Sequence, residues 1–166
     1  EEMTGYYPKA FEAYIHKAIN LELLDPRLAT EYDLKTLGAA IVPQRDNQFT
    51  YLSMQTLYDR YLIHSHGVRF ELPQIFFMRV AMGLCINEPD KTTRVMEFYQ
   101  QLSSFDYMSS TPTLFNSGTL RSQLSSCYLT TIADDLFGIY SSMRDNALLS
   151  KFAGGLGNDW TNVRSM

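Results

Sequence analysis

A chain of 166 residues with 14 basic and 18 acidic side chains carries a formal charge of -4. Its length matches about one domain of the usual ~100–200 residues, and 45% hydrophobic and 13% aromatic residues supply a core. This composition excludes a disordered tail, a collagen-like repeat and a low-complexity linker, and the charge argues against a general polyanion binder while leaving room for a local basic pocket.

Cys85 and Cys127 are too few and too far apart for a disulfide scaffold, and they form no CxxC pair. The chain opens on Glu1-Glu2-Met3, without the basic-then-apolar pattern of a signal peptide. The longest apolar run, Ile75 to Ile86, is interrupted by Arg79 and falls short of the ~18 residues of a membrane span. These features predict a reducing, cytoplasmic setting with no membrane.

Pro8 is placed to open a helix, with Phe11, Tyr14, Ile15, Ala18 and Ile19 on one stripe. Leu24-Asp25-Pro26 ends that helix or the element after it, and residues 28–42 predict another helix with Leu34, Leu37 and Ile41 on one side. Pro43 to Asn47 reads as a polar turn, and residues 49–58 fit strand and helix periods alike. The runs Tyr58 to Ile63 and Val68 to Phe70 flank a glycine-bearing turn and predict a small hairpin. Pro73 opens the most apolar helix, Gln74 to Cys85, and a further helix follows around Val95, Phe98, Tyr99 and Leu102.

Near residue 103 the texture changes. Ser103 to Ser126 is dense in serine and threonine, which favour loops and short strands over helix. Leu124 to Ile132 has strand character. Asp134 or Asp135 then caps a helix through Lys151, with Leu136, Ile139, Tyr140, Met143 and Ala147 on its stripe, stopped by Gly154-Gly155-Leu156-Gly157. The fold class is therefore α/β: a mainly helical region over residues 1–105, then the opening of an α/β unit over 106–166, too short to close a sheet or barrel by itself.

Cys127, among hydroxyls and strand residues, fits a redox thiol or a buried structural thiol, and its spacing alone weighs toward the second. Cys85 reads as core. The glycine cluster follows a helix, whereas phosphate loops precede one. A C-cap needs a single glycine at positive φ, and close approach of backbone to a ligand accounts for more than one, so both readings stand. Asp134 and Asp135 could hold a metal or a ribose hydroxyl, but simple helix capping weighs more. His64 and His66 lack a third ligand and read as surface; no metal site is expected. Two classes remain: a redox or radical enzyme piece, or a helical interaction module with an inert cysteine.

The segment Thr111-Pro112-Thr113-Leu114-Phe115-Asn116-Ser117-Gly118-Thr119, continuing to Gln123-Leu124-Ser125-Ser126-Cys127-Tyr128-Leu129, resembles the catalytic large, or alpha, subunit of ribonucleotide reductases. Asn146-Ala147-Leu148-Leu149-Ser150-Lys151-Phe152-Ala153-Gly154-Gly155-Leu156-Gly157-Asn158-Asp159-Trp160 resembles the same family. The resemblance implies the start of a ten-stranded α/β barrel after a helical layer. It implies reduction of ribonucleoside diphosphates to deoxyribonucleotides by a thiyl radical, with a cysteine pair as reductant. Cys127 matches the first of that pair. Thr111, Ser126 and Gly155 match substrate-contacting positions, together with Cys127 itself. Asp134, Asp135, Leu136 and Arg164 match a site for a deoxynucleoside triphosphate or ATP effector, with Asp134 toward the ribose and Arg164 toward the phosphates.

The same resemblance implies further partners: a small radical-generating subunit, a second alpha subunit, and thioredoxin or glutaredoxin as reductant, with no nucleic acid. No cofactor is expected on this chain, and the Gly-Leu-Gly-Asn-Asp-Trp ending favours a metal-containing small subunit over adenosylcobalamin as the radical source. The family's ATP cone is not matched. Its thiyl-radical cysteine, second redox cysteine, catalytic asparagine and glutamate, and relay tyrosines are expected beyond Met166, so the chain alone is expected to be inactive. Finally, a helix from Leu136 to Lys151 is ~24 Å long at ~1.5 Å per residue, so Arg164 reaches Asp134 only if the chain returns after Gly157.

Overall fold

The computed structural model describes residues 2–151 and 154–165. The chain divides into two compact units, Glu1–Ser122 and Gln123–Met166. The division falls later than the change of composition near residue 103.

The first unit is helical. Helix α1 spans Glu2–Asn20 and buries Tyr7, Phe11, Tyr14, Ile15 and Ala18 along one stripe. Pro8 lies inside α1 instead of opening it. An interior proline removes a backbone donor and costs ~3 kcal/mol or more. Packing offsets this: Tyr7 is fully buried and its hydroxyl donates to Asp46 Oδ2 at 2.5 Å. The single helix expected over 28–42 is two: α2, Arg27–Thr30, and α3, Leu34–Ala39. Asp33 breaks them. It is extended, and its carboxylate accepts the N–H groups of Lys35 and Thr36, starting a new helix there.

A 3₁₀ helix, Pro43–Gln48, replaces the expected turn. Residues of ambiguous period become α4, Tyr51–Arg60, because Thr50 caps them through Ser53 N–H. The hairpin is present but small: β1, His64–Ser65, pairs antiparallel with β2, Val68–Arg69. Its turn residues His66 and Gly67 both have positive φ, as a two-residue hairpin turn requires.

Helix α5, Pro73–Leu84, buries ten residues and packs against α6, Lys91–Ser103, which Asp90 caps. Helix α7, Thr111–Asn116, corrects the expectation of loops and strands here. Pro112 in the first turn supplies a preset helical φ, and Leu114 turns into the core. The serine and threonine density obscured that signal. Among the described residues, strands after the hairpin begin only at Cys127.

The second unit is a β-α-β arrangement. Strand β3, Cys127–Thr131, pairs in parallel with β4, Gly155–Asp159, and helix α8, Leu136–Ser150, connects them. A parallel pair needs such a crossover, so a mainly helical region followed by an α/β unit describes the architecture. Most of the stripe expected to bury α8 faces outward: Leu136, Tyr140, Met143 and Ala147 are exposed, and of its members Ile139 is partly covered, on a side shared with Gly138, Ser142, Asn146 and Leu149. Small residues explain the inversion. A Cβ on Gly138 would fall 2.7 Å from the Ala133 Cβ, so the helix start closes tightly where it has no side chain. No described helix is long and apolar enough to cross a membrane.

Candidate functional site

Two clusters of sequence-marked residues form within the second unit. The first surrounds Cys127. It begins β3 directly opposite Gly155, and the Gly155 N–H donates to the Ser126 carbonyl at 2.9 Å. A Cβ on Gly155 would sit 3.4 Å from Cys127 Sγ and 3.7 Å from the Ser126 oxygen. The bare glycine therefore leaves about a methyl's room beside the sulfur. Ser126 and Cys127 are exposed and the thiol is free. This corrects the weighting toward a buried structural thiol: alternation along β3 turns Tyr128 and Thr130 to the partly covered face and Cys127 to the open one.

The glycine cluster is not a helix C-cap. Gly155 and Gly157 lie in β4, and the described glycines with positive φ are Gly67 and Gly118. A Cβ on Gly154 would overlap the Tyr128 ring, and one on Gly157 would lie 2.8 Å from Leu129 Cδ2. Close approach is the reason for three glycines, but at Gly154 and Gly157 the approaching groups are β3's own side chains. Gly155 alone borders the thiol.

The second cluster lies at the start of α8. Asp135 is the cap, its Oδ1 accepting the Gly138 N–H at 2.8 Å. Asp134 does not cap. Its Oδ1 accepts the backbone N–H of Arg164 at 3.2 Å, and its Oδ2 lies 3.6 Å from Arg164 Nε. The chain returns as the length argument required. The Ile132 N–H donates to the Asp159 carbonyl at 2.9 Å, extending the ladder past β3. Thr161 then donates to Asp159 through both its hydroxyl and its N–H, at 2.5 and 2.9 Å, turning the chain back and holding the Asp159 carboxyl below its ordinary pKa. Leu136 follows with an exposed side chain. The Arg164 side chain is 82% exposed and that of Asp134 35%. An open pair of this kind contributes only ~0–1 kcal/mol, so its geometry presents a carboxylate and a guanidinium side by side without stabilising the fold appreciably.

Thr111 belongs to the first unit, where it is the first residue of α7 and lies exposed, its Oγ1 3.2 Å from the Tyr61 hydroxyl. Cys85 is buried in the helical core, and burial pushes its thiol up to about 11. His64 and His66 are exposed.

The sequence reading passed over a buried polar network. Glu71 and Arg79 pair at 2.6 Å with neither side chain exposed, and the Tyr14 hydroxyl donates to the same carboxylate at 2.6 Å. Burial opposes the arginine's charge, but Glu71 and Tyr14 together more than offset it, so Arg79 stays a cation. An arginine inside the most apolar helix was the available signal.

Residues 47–122 match the ribonucleotide reductase all-alpha domain and residues 125–166 its barrel domain. The chain is 52% identical over 165 residues to a ribonucleoside-diphosphate reductase subunit alpha of Chlamydia muridarum, covering 99% of this chain and 16% of that protein. It is 47% identical over 164 residues to the same-named subunit of Helicobacter pylori, covering 98% and 21% respectively. Ribonucleoside-diphosphate reductase large chain 2 of Saccharomyces cerevisiae is 40% identical over 131 residues, 78% of this chain and 15% of that protein. The chain thus spans about a sixth to a fifth of the length of these relatives.

Proposed function

This chain belongs to the large-subunit family of ribonucleotide reductases, and on that ground we propose that it serves the reduction of ribonucleoside diphosphates to deoxyribonucleotides. The observation that carries the reading is the exposed Cys127 thiol beside the bare backbone of Gly155. A hydroxyl leaves poorly until it is protonated, and a thiol within hydrogen-bond reach supplies that proton.

In this reading a thiyl radical on another cysteine removes the 3′ hydrogen. Cys127 gives its proton to the 2′ hydroxyl, which departs as water. Cys127 and a partner cysteine then form a disulfide, and the two electrons so released reduce the sugar. The 3′ hydrogen returns, leaving deoxyribonucleotide, water and disulfide. Ser126 offers a hydroxyl to substrate oxygens, and the family resemblance assigns Thr111 a substrate contact of the same kind. Gly155 keeps the space beside the sulfur open. Thioredoxin or glutaredoxin would reopen the disulfide. The radical would come from a small subunit carrying a metal cofactor, with adenosylcobalamin as the alternative source.

Asp134, Asp135, Leu136 and Arg164 are assigned to a deoxynucleoside triphosphate or ATP effector. The adjacency of Asp134 and Arg164 supports this, since a ribose needs an acceptor and phosphates need a cation. The outward apolar face of α8, with Leu136, Phe137 and Tyr140, supports a second alpha subunit as the partner beside that site. The two free cysteines accord with a cytoplasmic setting.

The test is Cys127→Ser in a reductase holoenzyme that carries these residues. Turnover with external reductant is expected to vanish while effector binding and thermal stability stay unchanged. Turnover close to that of the parent enzyme would return Cys127 to a passive role and remove the main support for this reading.

A further inference from the structure

Helix α7 has six residues, and a helix that short does not persist by itself. Two side chains from elsewhere in the first unit hold its ends. At the far end Arg79 donates to the carbonyls of Ser117 and Leu114, at 2.7 and 3.4 Å, while Glu71 grips the same guanidinium. At the near end stands Tyr61, the residue after α4. Its ring stacks on Phe115 with centroids 4.8 Å apart and planes 23° from parallel, and it meets the buried Phe76 edge-on at 6.3 Å. The ring is thereby fixed in place, and its hydroxyl lies 3.2 Å from Thr111 Oγ1.

A threonine hydroxyl has one proton and two lone pairs, and its rotor turns to suit its neighbours. A phenol held beside it sets that rotor. We propose that Tyr61 is a positioning residue for Thr111: the phenol donates to Thr111 Oγ1, so the threonine proton is directed away from Tyr61 and toward an anionic or ribose oxygen of the substrate. This rests on the reading of Thr111 as a substrate-contacting residue. Because Arg79 anchors the other end of α7, loss of the phenol hydroxyl alters the aim of Thr111 without dismantling the helix.

The experiment is Tyr61→Phe in a reductase holoenzyme carrying these residues, alongside Thr111→Val and the double variant. Phenylalanine keeps the ring and its stack. Tyr61→Phe is expected to raise KM for the ribonucleoside diphosphate about three- to tenfold, the loss of one net hydrogen bond. The expected kcat stays within about twofold, with the melting temperature and effector response unchanged, a split that a purely structural role does not produce. In the Thr111→Val background Tyr61→Phe is expected to add nothing further, because its route is gone. Full additivity of the two changes overturns the proposal, as does a fall in kcat and melting temperature with KM unmoved. If Thr111→Val raises KM and Tyr61→Phe does not, the positioning role alone falls. If Thr111→Val leaves KM unchanged, the substrate role of Thr111 falls and the positioning role with it.

Discussion

The two units of this chain use their apolar residues in opposite ways. In the first, aromatic and aliphatic side chains meet one another: Phe11, Leu28, Leu37, Ile75, Phe76, Met78 and Leu102 are almost wholly buried, and even Arg79 and Glu71 are sealed inside with each other as partners. In the second, Leu129 is 88% and Phe137 84% exposed, and Ile132 is the described hydrophobic residue that is fully covered. The candidate site groups, Cys127 and the Asp134–Arg164 pair, stand on this second, open unit. The helical unit buries its apolar residues in its own core, whereas the β-α-β unit exposes apolar surface of the kind that marks interaction sites.

The largest effect that tests this contrast is chemical. Cys127 is exposed, whereas Cys85 is buried and its thiol is raised to about 11. A thiol-alkylating reagent near pH 8 meets only about a thousandth of Cys85 as thiolate, and burial slows it further. The exposed Cys127 is expected to label far faster, with Cys85 labelling only on unfolding and faster as pH rises toward 11. Equal rates read by mass spectrometry would break the contrast.

The next effect is on stability. Arg79→Met leaves Glu71 charged and unpaired in the core, and denaturant unfolding is expected to show a loss of ~3–5 kcal/mol. Adding Glu71→Gln should recover part of it. By comparison Phe137→Ser, on the open face of α8, is expected to change stability by less than ~0.5 kcal/mol. A large loss from Phe137→Ser with a small one from Arg79→Met would reverse the picture.

Smaller effects sharpen the second unit. Gly154→Ala puts a methyl into the Tyr128 ring and is expected to cost ~1–3 kcal/mol by overpacking, measurable as a lowered melting temperature. Smallest is the division of labour between neighbouring acids. Asp135→Ala should cost ~1 kcal/mol as a lost cap, and Asp134→Ala less than ~0.5 kcal/mol, while in the holoenzyme only Asp134→Asn and Arg164→Ala are expected to blunt the effector's control of substrate preference. Unchanged effector control in both would remove the effector assignment.

Legibility followed the same divide. Helix α5 was plain in the sequence because a proline start and a continuous apolar run leave few alternatives. The stripe of α1 was equally clear, although Pro8 misled at its start: proline's local preference for a first turn yields to the burial of Tyr7. The break between α2 and α3 hinges on one carboxylate, Asp33, choosing backbone N–H groups over solvent. Period alone does not reveal that choice. Periodicity puts Leu136, Ile139, Tyr140, Met143 and Ala147 on the inner stripe of α8, yet of these only Ile139 is partly covered, and Gly138 and Ser142 share that side because close packing on a short strand pair admits small residues. The same holds at the candidate sites. Sequence marked Asp134 and Asp135 together, and only backbone geometry separates the cap from the acid that faces Arg164. The Arg79–Glu71–Tyr14 network showed in the sequence only as an arginine in an apolar helix, and its partners stayed hidden because Tyr14 lies 57 residues from Glu71.

The most direct measurement follows the sulfur itself. A pre-reduced holoenzyme carrying these residues is given ribonucleoside diphosphate and effector without any external reductant, then quenched and digested, and the state of Cys127 is read by mass spectrometry against the deoxyribonucleotide formed. The account predicts that Cys127 passes from free thiol to disulfide in proportion to product, one disulfide for each deoxyribonucleotide, and stays reduced when substrate is omitted. Deoxyribonucleotide formed while Cys127 remains a free thiol would contradict it.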